Sequence, residues 1–238
     1  MPPRALEPAG IALVDKPAGP SSFKLVAGLR RRTGARTGHA GTLDPFATGL
    51  LLLLSGWATR LAPCFSGLDK RYVTDVDLRA RTSTGDPEGE VVETTEPPSP
   101  ADLEQRLARL RGWVELPIPA ASAVKIGGER AYRLARRGVE VDMPVRRSRI
   151  DALDVITYSD GVARLDLRVS AGTYVRAIAA ELGGHCRSLR RTEIGPFAVD
   201  DATDVDDAEL MPAADALARL PAEARQRVPD AVLARAGR

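Results

Sequence analysis

Asparagine is absent from this chain of 238 residues, histidine and cysteine occur twice each, and lysine stands only at positions 16, 24, 70 and 125. A structural zinc site needs four thiolate or imidazole ligands at close spacing, and neither a CxxC nor an HxxxH occurs. His39, His185, Cys64 and Cys186 belong to no metal-ligand pattern, so no metal is expected. The two cysteines read as small buried or half-buried residues in a reducing compartment. The longest purely apolar run, Leu50 to Leu54, is far too short to cross a bilayer. Met1 to Pro8 lacks the apolar stretch of a signal peptide. A soluble, cytoplasmic protein is therefore expected. No GxGxxG follows a strand pattern and no GxxxxGK[ST] occurs, so nucleotide-cofactor loops are missing as well.

What is present is arginine, which supplies 30 of the 34 basic residues. Its planar fork suits phosphate and base contacts, which makes the bias compatible with a nucleic-acid partner. Net charge is only +2. The basic residues nevertheless cluster at Arg30-Arg31-Arg32 with Arg36, from Arg130 to Arg137, at Arg146-Arg147 with Arg149, and from Arg187 to Arg191, while acidic residues gather between Asp200 and Glu209. A near-neutral average thus leaves room for a basic face. Hydrophobic residues make up 44% of the chain, enough for one sizeable core or a core plus a small lobe.

The segment from Gly38 to Leu50 reads Gly-His-Ala-Gly-Thr-Leu-Asp-Pro-Phe-Ala-Thr-Gly-Leu and sets one carboxylate, Asp44, in a loop of glycines and threonines beside His39. A residue before proline is driven out of the helical region, so Leu43-Asp44-Pro45 should project the carboxylate from a stiff kink. A positioned attacking atom saves part of an entropic barrier, which makes Asp44 a candidate nucleophile. The competing reading is that Asp-Pro and Gly-Thr pairs here merely make turns.

Local signals predict an alternation of short strands and helices. Ile11 to Val14 reads as a strand, and Ser21 or Ser22 caps a helix that ends near Gly34. Tyr72 to Leu78 alternates as a strand, with Val91-Val92 pairing back onto it after the turn from Gly85 to Gly89. Ser99-Pro100-Ala101-Asp102 opens an amphipathic helix to Leu110. A helix is expected from about Glu129 to Arg137, stopping at Gly138. Val155 to Tyr158 and Arg164 to Val169 flank a turn at Ser159-Asp160-Gly161. Val175, Ile178, Ala179 and Leu182 have helical spacing and end at Gly183-Gly184. Hairpins with interspersed helices argue for an α+β fold around a mostly antiparallel sheet.

Six segments in order resemble the bacterial tRNA pseudouridine-55 synthases, the TruB family. They are Val14-Asp15-Lys16-Pro17 with Ser21-Ser22, the Gly38 to Leu50 loop, Asp69-Lys70-Arg71-Tyr72, Ser122-Ala123-Val124-Lys125 running on to Tyr132, Ala135-Arg136 and Gly138, Gly172-Thr173-Tyr174-Val175-Arg176, and Leu189-Arg190-Arg191-Thr192. The resemblance implies the pseudouridine synthase fold, a large mixed and mostly antiparallel sheet flanked by helices with a central active-site cleft. It also implies isomerisation of a uridine in the T-loop of tRNA with no cofactor, the T stem-loop of tRNA as partner, and a monomer that touches no membrane. Residues 1–197 are expected to form the catalytic domain. Residues 198–238 are expected to be a short helical extension without the C-terminal PUA-type domain of many members.

Through that resemblance Asp44 is the nucleophile, on either the base ring or the ribose carbon. Burial disfavours an ionised carboxylate, and Arg176 matches the arginine that offsets it. Tyr72 matches the tyrosine that stacks on the target base and assists proton transfer. Tyr174 and Leu189 match pocket-lining positions, and His39 matches a histidine that contacts RNA where bases have flipped out. Lys16 and Pro17 match a buried structural pair behind the loop. Arg190 and Arg191 are expected at phosphates or neighbouring carboxylates. The chain departs from the family pattern at Ala121, where a tyrosine is common, and at Phe46, where leucine is usual. The alternatives are a synthase acting on another RNA and a non-catalytic tRNA-binding chaperone.

Overall fold

The computed structural model describes residues 8–122, 124–137, 139 and 141–236. Residues 1–7, Ala123 of the fourth motif and the helix stop expected at Gly138 lie outside the described residues. The strands are β1 (Gly10–Lys16), β2 (Thr37–His39), β3 (Thr48–Ser55), β4 (Lys70–Asp77), β5 (Ala80–Thr82), β6 (Val91–Thr94), β7 (Gly112–Pro117), β8 (Lys125–Ile126), β9 (Glu129–Arg130), β10 (Val145–Ser159), β11 (Val162–Val169), β12 (His185–Ile194) and β13 (Phe197–Ala198). The helices are α1 (Ser22–Thr33), α2 (Ala62–Ser66), α3 (Pro100–Leu110), α4 (Ala131–Arg136), α5 (Val175–Glu181), α6 (Ala213–Ala218), α7 (Ala222–Arg225) and α8 (Asp230–Leu233). Nine strands belong to one mixed, mostly antiparallel sheet, the α+β class expected from the sequence. The chain forms two compact units, residues 1–72 with 190–238, and residues 73–189.

In the first unit β3 is central. It pairs antiparallel with all of β1, from Gly10↔Ser55 to Lys16↔Gly49, and antiparallel with β2. It also pairs in parallel with β12 at Arg190↔Thr48 and Arg191↔Gly49. Its five leucines are buried on both faces of the sheet, which is why the run is continuous rather than alternating. Leu51 and Leu53 join Ala12, Val14 and the α1 residues Leu25, Val26 and Leu29 in one core. Leu50, Leu52 and Leu54 join Ile11, Leu13, Phe65, Phe197, Leu217 and Leu220 in the other. Each buried leucine stabilises the fold by roughly 1.5–3 kcal/mol relative to exposure. Helix α1 turns its Leu25, Val26 and Leu29 stripe to the sheet, is capped by Ser21, and ends on Gly34 in the left-handed conformation. The outer edge of β1 is covered by single bridges, Ile11 to Met211 and Val14 to Thr203. No helix among the described residues is long and apolar enough to cross a membrane.

In the second unit the long strand β10 pairs with β7 through Val145 to Ile150 and with β11 from Ile150 to Ser159, shifting register on the way. Asp160 and Gly161 both have positive φ, the requirement of a two-residue hairpin turn. Helix α3 begins on Ser99, whose hydroxyl accepts from the Asp102 amide, and buries Leu103, Leu107 and Leu110. Two expectations fail here. Strand β6 pairs with β5 in a separate two-stranded sheet and not with the Tyr72 strand, because β4 already has β12 and β11 as neighbours. Glu129-Arg130 does not begin a helix. It is β9, paired back on Lys125-Ile126 across the positive-φ pair Gly127-Gly128, and α4 starts at Ala131.

Candidate active site

The Asp44 loop joins β2 to β3, and the first unit grips it by its main chain. The Lys16 ammonium, fully buried, donates to the carbonyls of Pro17 at 2.9 Å, Pro45 at 3.0 Å and Ala47 at 2.6 Å. Ser22, the first residue of α1, bonds both the amide and the carbonyl of Leu43 through one hydroxyl, each at 2.9 Å. Arg191, only 2% exposed, donates from Nε to the Leu50 carbonyl at 2.8 Å and from Nη2 to the Gly41 carbonyl at 3.1 Å. Gly49 closes the loop at φ 100°, and a Cβ there would lie 2.2 Å from the Arg191 carbonyl, so only glycine fits. Asp44 itself is half-buried, with its backbone fixed on both sides.

Arg191 is a residue whose place the sequence reading misjudged. Arg190 does meet a carboxylate, Asp15, at 2.8 and 3.1 Å. Arg191 instead turns inward and spends its charge on loop carbonyls. Strand alternation carried the signal, since Leu189 and Arg191 fall on buried positions of β12 and Arg190 between them does not. Pro17 is exposed, so the expected buried pair reduces to Lys16.

His39 is half-buried at the end of β2, edge-on to Phe23 with ring centroids 6.3 Å apart at 84°. Burial, and then the nearby Arg191 charge, lowers its pKa and favours the neutral imidazole. Its Nδ1 is buried without a hydrogen-bond partner. Tyr72 lies buried on β4, 7% exposed. Lys70, two residues before it, is also buried and donates to the carbonyls of Ser66 at 2.6 Å and Leu68 at 2.5 Å. Burial, with the charges of Arg191 and Arg227, pulls its pKa down from 10.5 to about 7, against an opposing pull from Asp69.

In the second unit Arg176 lies on α5 and is 2% exposed. It donates from Nη1 to the Thr84 carbonyl at 2.7 Å and from Nη2 to the Ala121 carbonyl at 2.9 Å. Its Nη1 also lies 3.4 Å from the Asp86 carboxylate, which is itself buried and accepts from the Thr84 hydroxyl and the Glu88 amide. The sequence marked Asp86 only as part of a turn. It is a buried counter-ion, and a carboxylate inside a Gly-Asp-Pro turn offers no pattern that separates the two roles. The Ala121 contact is made by backbone, so it is indifferent to the missing tyrosine ring. Tyr174 stands half-buried at the N-cap of α5, and Leu189 is buried on β12. Cys64 and Cys186 are both buried. No group of three or more His, Cys, Asp or Glu residues that could hold a metal ion occurs among the described residues.

Residues 30–175 match the family model described as TruB family pseudouridylate synthase, N-terminal domain. This chain belongs to the TruB family. A tRNA pseudouridine synthase B of Mycobacterium sp. strain KMS is 43% identical over 210 residues, covering 83% of this chain and 71% of that protein. Its counterpart in Syntrophobacter fumaroxidans is 39% identical over 239 residues, covering 92% of this chain and 78% of the relative. Among solved structures, a chain of a Cbf5-Nop10-Gar1 complex superposes with a TM-score of 0.63 at 25% identity. That match covers 82% of this chain, which spans about half the length of the other. The TruB model span takes in His39, Asp44, Tyr72 and Tyr174, and it stops one residue before Arg176.

Proposed function

We propose that this chain converts the uridine at position 55, in the T-loop of tRNA, into pseudouridine. The observation that carries the reading is the grip on the Gly38 to Leu50 segment around Asp44 in a TruB-family chain: two buried cations and a serine hold its main chain at five carbonyls and one amide. Fixing a nucleophile in advance removes an orientational cost from the reaction. The reaction is an isomerisation. The bond from ribose C1′ to uracil N1 breaks, the base turns, and C1′ rejoins at C5. The proton on C5 leaves and N1 gains one, so nothing external is consumed and no cofactor is required.

In this reading Asp44 forms the transient covalent bond, to the base ring or to the ribose carbon, and Arg176 offsets its charge. Tyr72 stacks on the extruded uracil and helps to move the C5 proton. Tyr174 and Leu189 line the pocket, His39 meets the RNA beside it, and Lys16 supports the loop. Extruding a base costs a few kcal/mol, which stacking on aromatic faces offsets. Residues 1–197 act as the catalytic domain and 198–238 as an extension of it, with the T stem-loop as the partner of a monomer. Exposed Arg30, Arg31 and Arg36 supply phosphate contacts whose strength falls with added salt.

The test is to incubate the protein with an unmodified tRNA transcript and map pseudouridine along it. Product confined to the T-loop uridine, lost when that uridine is replaced by cytidine, is the expected result. Product at another site or in another RNA only, or binding without product, would overturn it.

A further inference from the structure

Ser122 opens the fourth motif segment and has no part in the chemistry assigned to Asp44, Arg176 and Tyr72. It is buried, 4% exposed, yet its hydroxyl oxygen has no hydrogen-bond partner. Among the described residues one other buried side-chain polar atom, His39 Nδ1, shares that state. The backbone around Ser122 is tied down. Its amide donates to the Ala120 carbonyl at 2.9 Å, and the Ala121 carbonyl between them accepts from Arg176 Nη2 at 2.9 Å. Arg176 is fixed in turn by the Thr84 carbonyl and the Asp86 carboxylate, all within the second unit. The orphaned hydroxyl is therefore carried by the same piece of backbone that anchors the buried arginine. A buried hydroxyl without a partner costs free energy, so its presence calls for a bonding partner supplied from outside the fold.

We propose that the Ser122 hydroxyl donates a hydrogen bond to a carbonyl of the uracil that reacts at the Arg176 site. The inference rests on the reading of this chain as a uridine isomerase. A uracil taken out of its stack loses water and pairing partners, and an enclosed donor restores one of those bonds. The reaction turns the ring so that C5 takes the place of N1, which exchanges O2 with O4. A donor aimed at either oxygen therefore finds an acceptor both before and after the turn. Ser122 serves substrate and product alike and lets the base rotate without losing its contact.

The test compares wild type and Ser122→Ala, first as free proteins in thermal unfolding and then in pseudouridine formation. The tRNA transcripts carry uridine, 2-thiouridine, 4-thiouridine or 2′-deoxyuridine at the target position. Because the hydroxyl is unpaired in the free protein, Ser122→Ala should raise the unfolding midpoint by about 2–4 °C. On the uridine transcript it should lower kcat/KM roughly tenfold, the size of one lost hydrogen bond. One of the two thio substitutions, sulfur being a poor acceptor, should slow wild type by a similar factor and slow Ser122→Ala no further. The 2′-deoxy substitution should change both proteins by the same factor. A lowered midpoint would show that the hydroxyl already has a partner in the fold and overturn the proposal. Unchanged kcat/KM, thio effects equal in both proteins, or a 2′-deoxy effect confined to wild type would overturn the base contact alone. A wild type that forms no product on the uridine transcript would overturn the isomerase reading, and the contact with it.

Discussion

The Asp44 loop and the Arg176 site place a charged group by opposite means. Around Asp44 the bonds from Lys16, Ser22 and Arg191 hold the main chain of the loop. Around Arg176 the side chain itself is held, by two carbonyls and the buried carboxylate of Asp86. The difference teaches where each site is vulnerable. A loop held by its carbonyls loses geometry when a grip is removed, whereas a held side chain leaves a buried counter-ion behind when it is deleted.

The largest expected effect follows from that second case. Arg176→Met leaves Asp86 buried without its arginine and should cost about 3–5 kcal/mol in denaturant unfolding. The double variant Arg176→Met with Asp86→Asn should recover much of that stability without restoring product. A double variant as unstable as the single one would show that Asp86 is not the counter-ion. Next in size is Arg191→Met, which leaves the Gly41 and Leu50 carbonyls without their donor at a cost of about 1–3 kcal/mol. Turnover should fall more than RNA affinity, and the His39 pKa, followed by NMR, should rise once the neighbouring charge is gone. An unchanged His39 titration would separate Arg191 from the loop.

The smallest effect is a pH dependence. The folded state holds Lys70 near 7 and the unfolded chain near its ordinary 10.5, so between those values the unfolded chain binds more protons. The penalty for burying the ammonium is fully present below about pH 7 and is relieved as pH rises toward 10.5. Unfolding free energy measured across this window should therefore carry an upward contribution that Lys70→Met abolishes. The same slope in both proteins would assign it to other groups.

How far these features were legible depends on whether their causes are local. Helix α1 from Ser21 to Gly34, helix α3 behind Ser99 and the β10–β11 turn at Asp160-Gly161 are set by caps and turn residues a few positions apart. Their bounds could be read directly. The partner of β6 is decided by which sheet edges are already taken, and nothing near Val91 encodes that. Glu129-Arg130 has helical composition but is captured by the Gly127-Gly128 turn. In the site, the stiff kink at Asp44 could be read from the proline that follows it, but the spacing alone fits a turn equally well, and its proposed role comes from the family resemblance. Arg191 is signalled only by strand alternation on β12, against an arginine pair that reads as a solvated cluster, and Asp86 by nothing, because an aspartate in a turn reads as a turn. Burial turns each into a structural support, Arg191 for the loop carbonyls and Asp86 for Arg176.

The central claim is that the gripped loop exists to present one carboxylate. Its most direct test is single-turnover pseudouridine formation in an unmodified tRNA transcript by wild type and Asp44→Asn, with binding measured on the same samples. The account predicts no detectable product from Asp44→Asn at near-normal affinity and an unfolding midpoint close to wild type. Product formed by Asp44→Asn at a rate near that of wild type would contradict it.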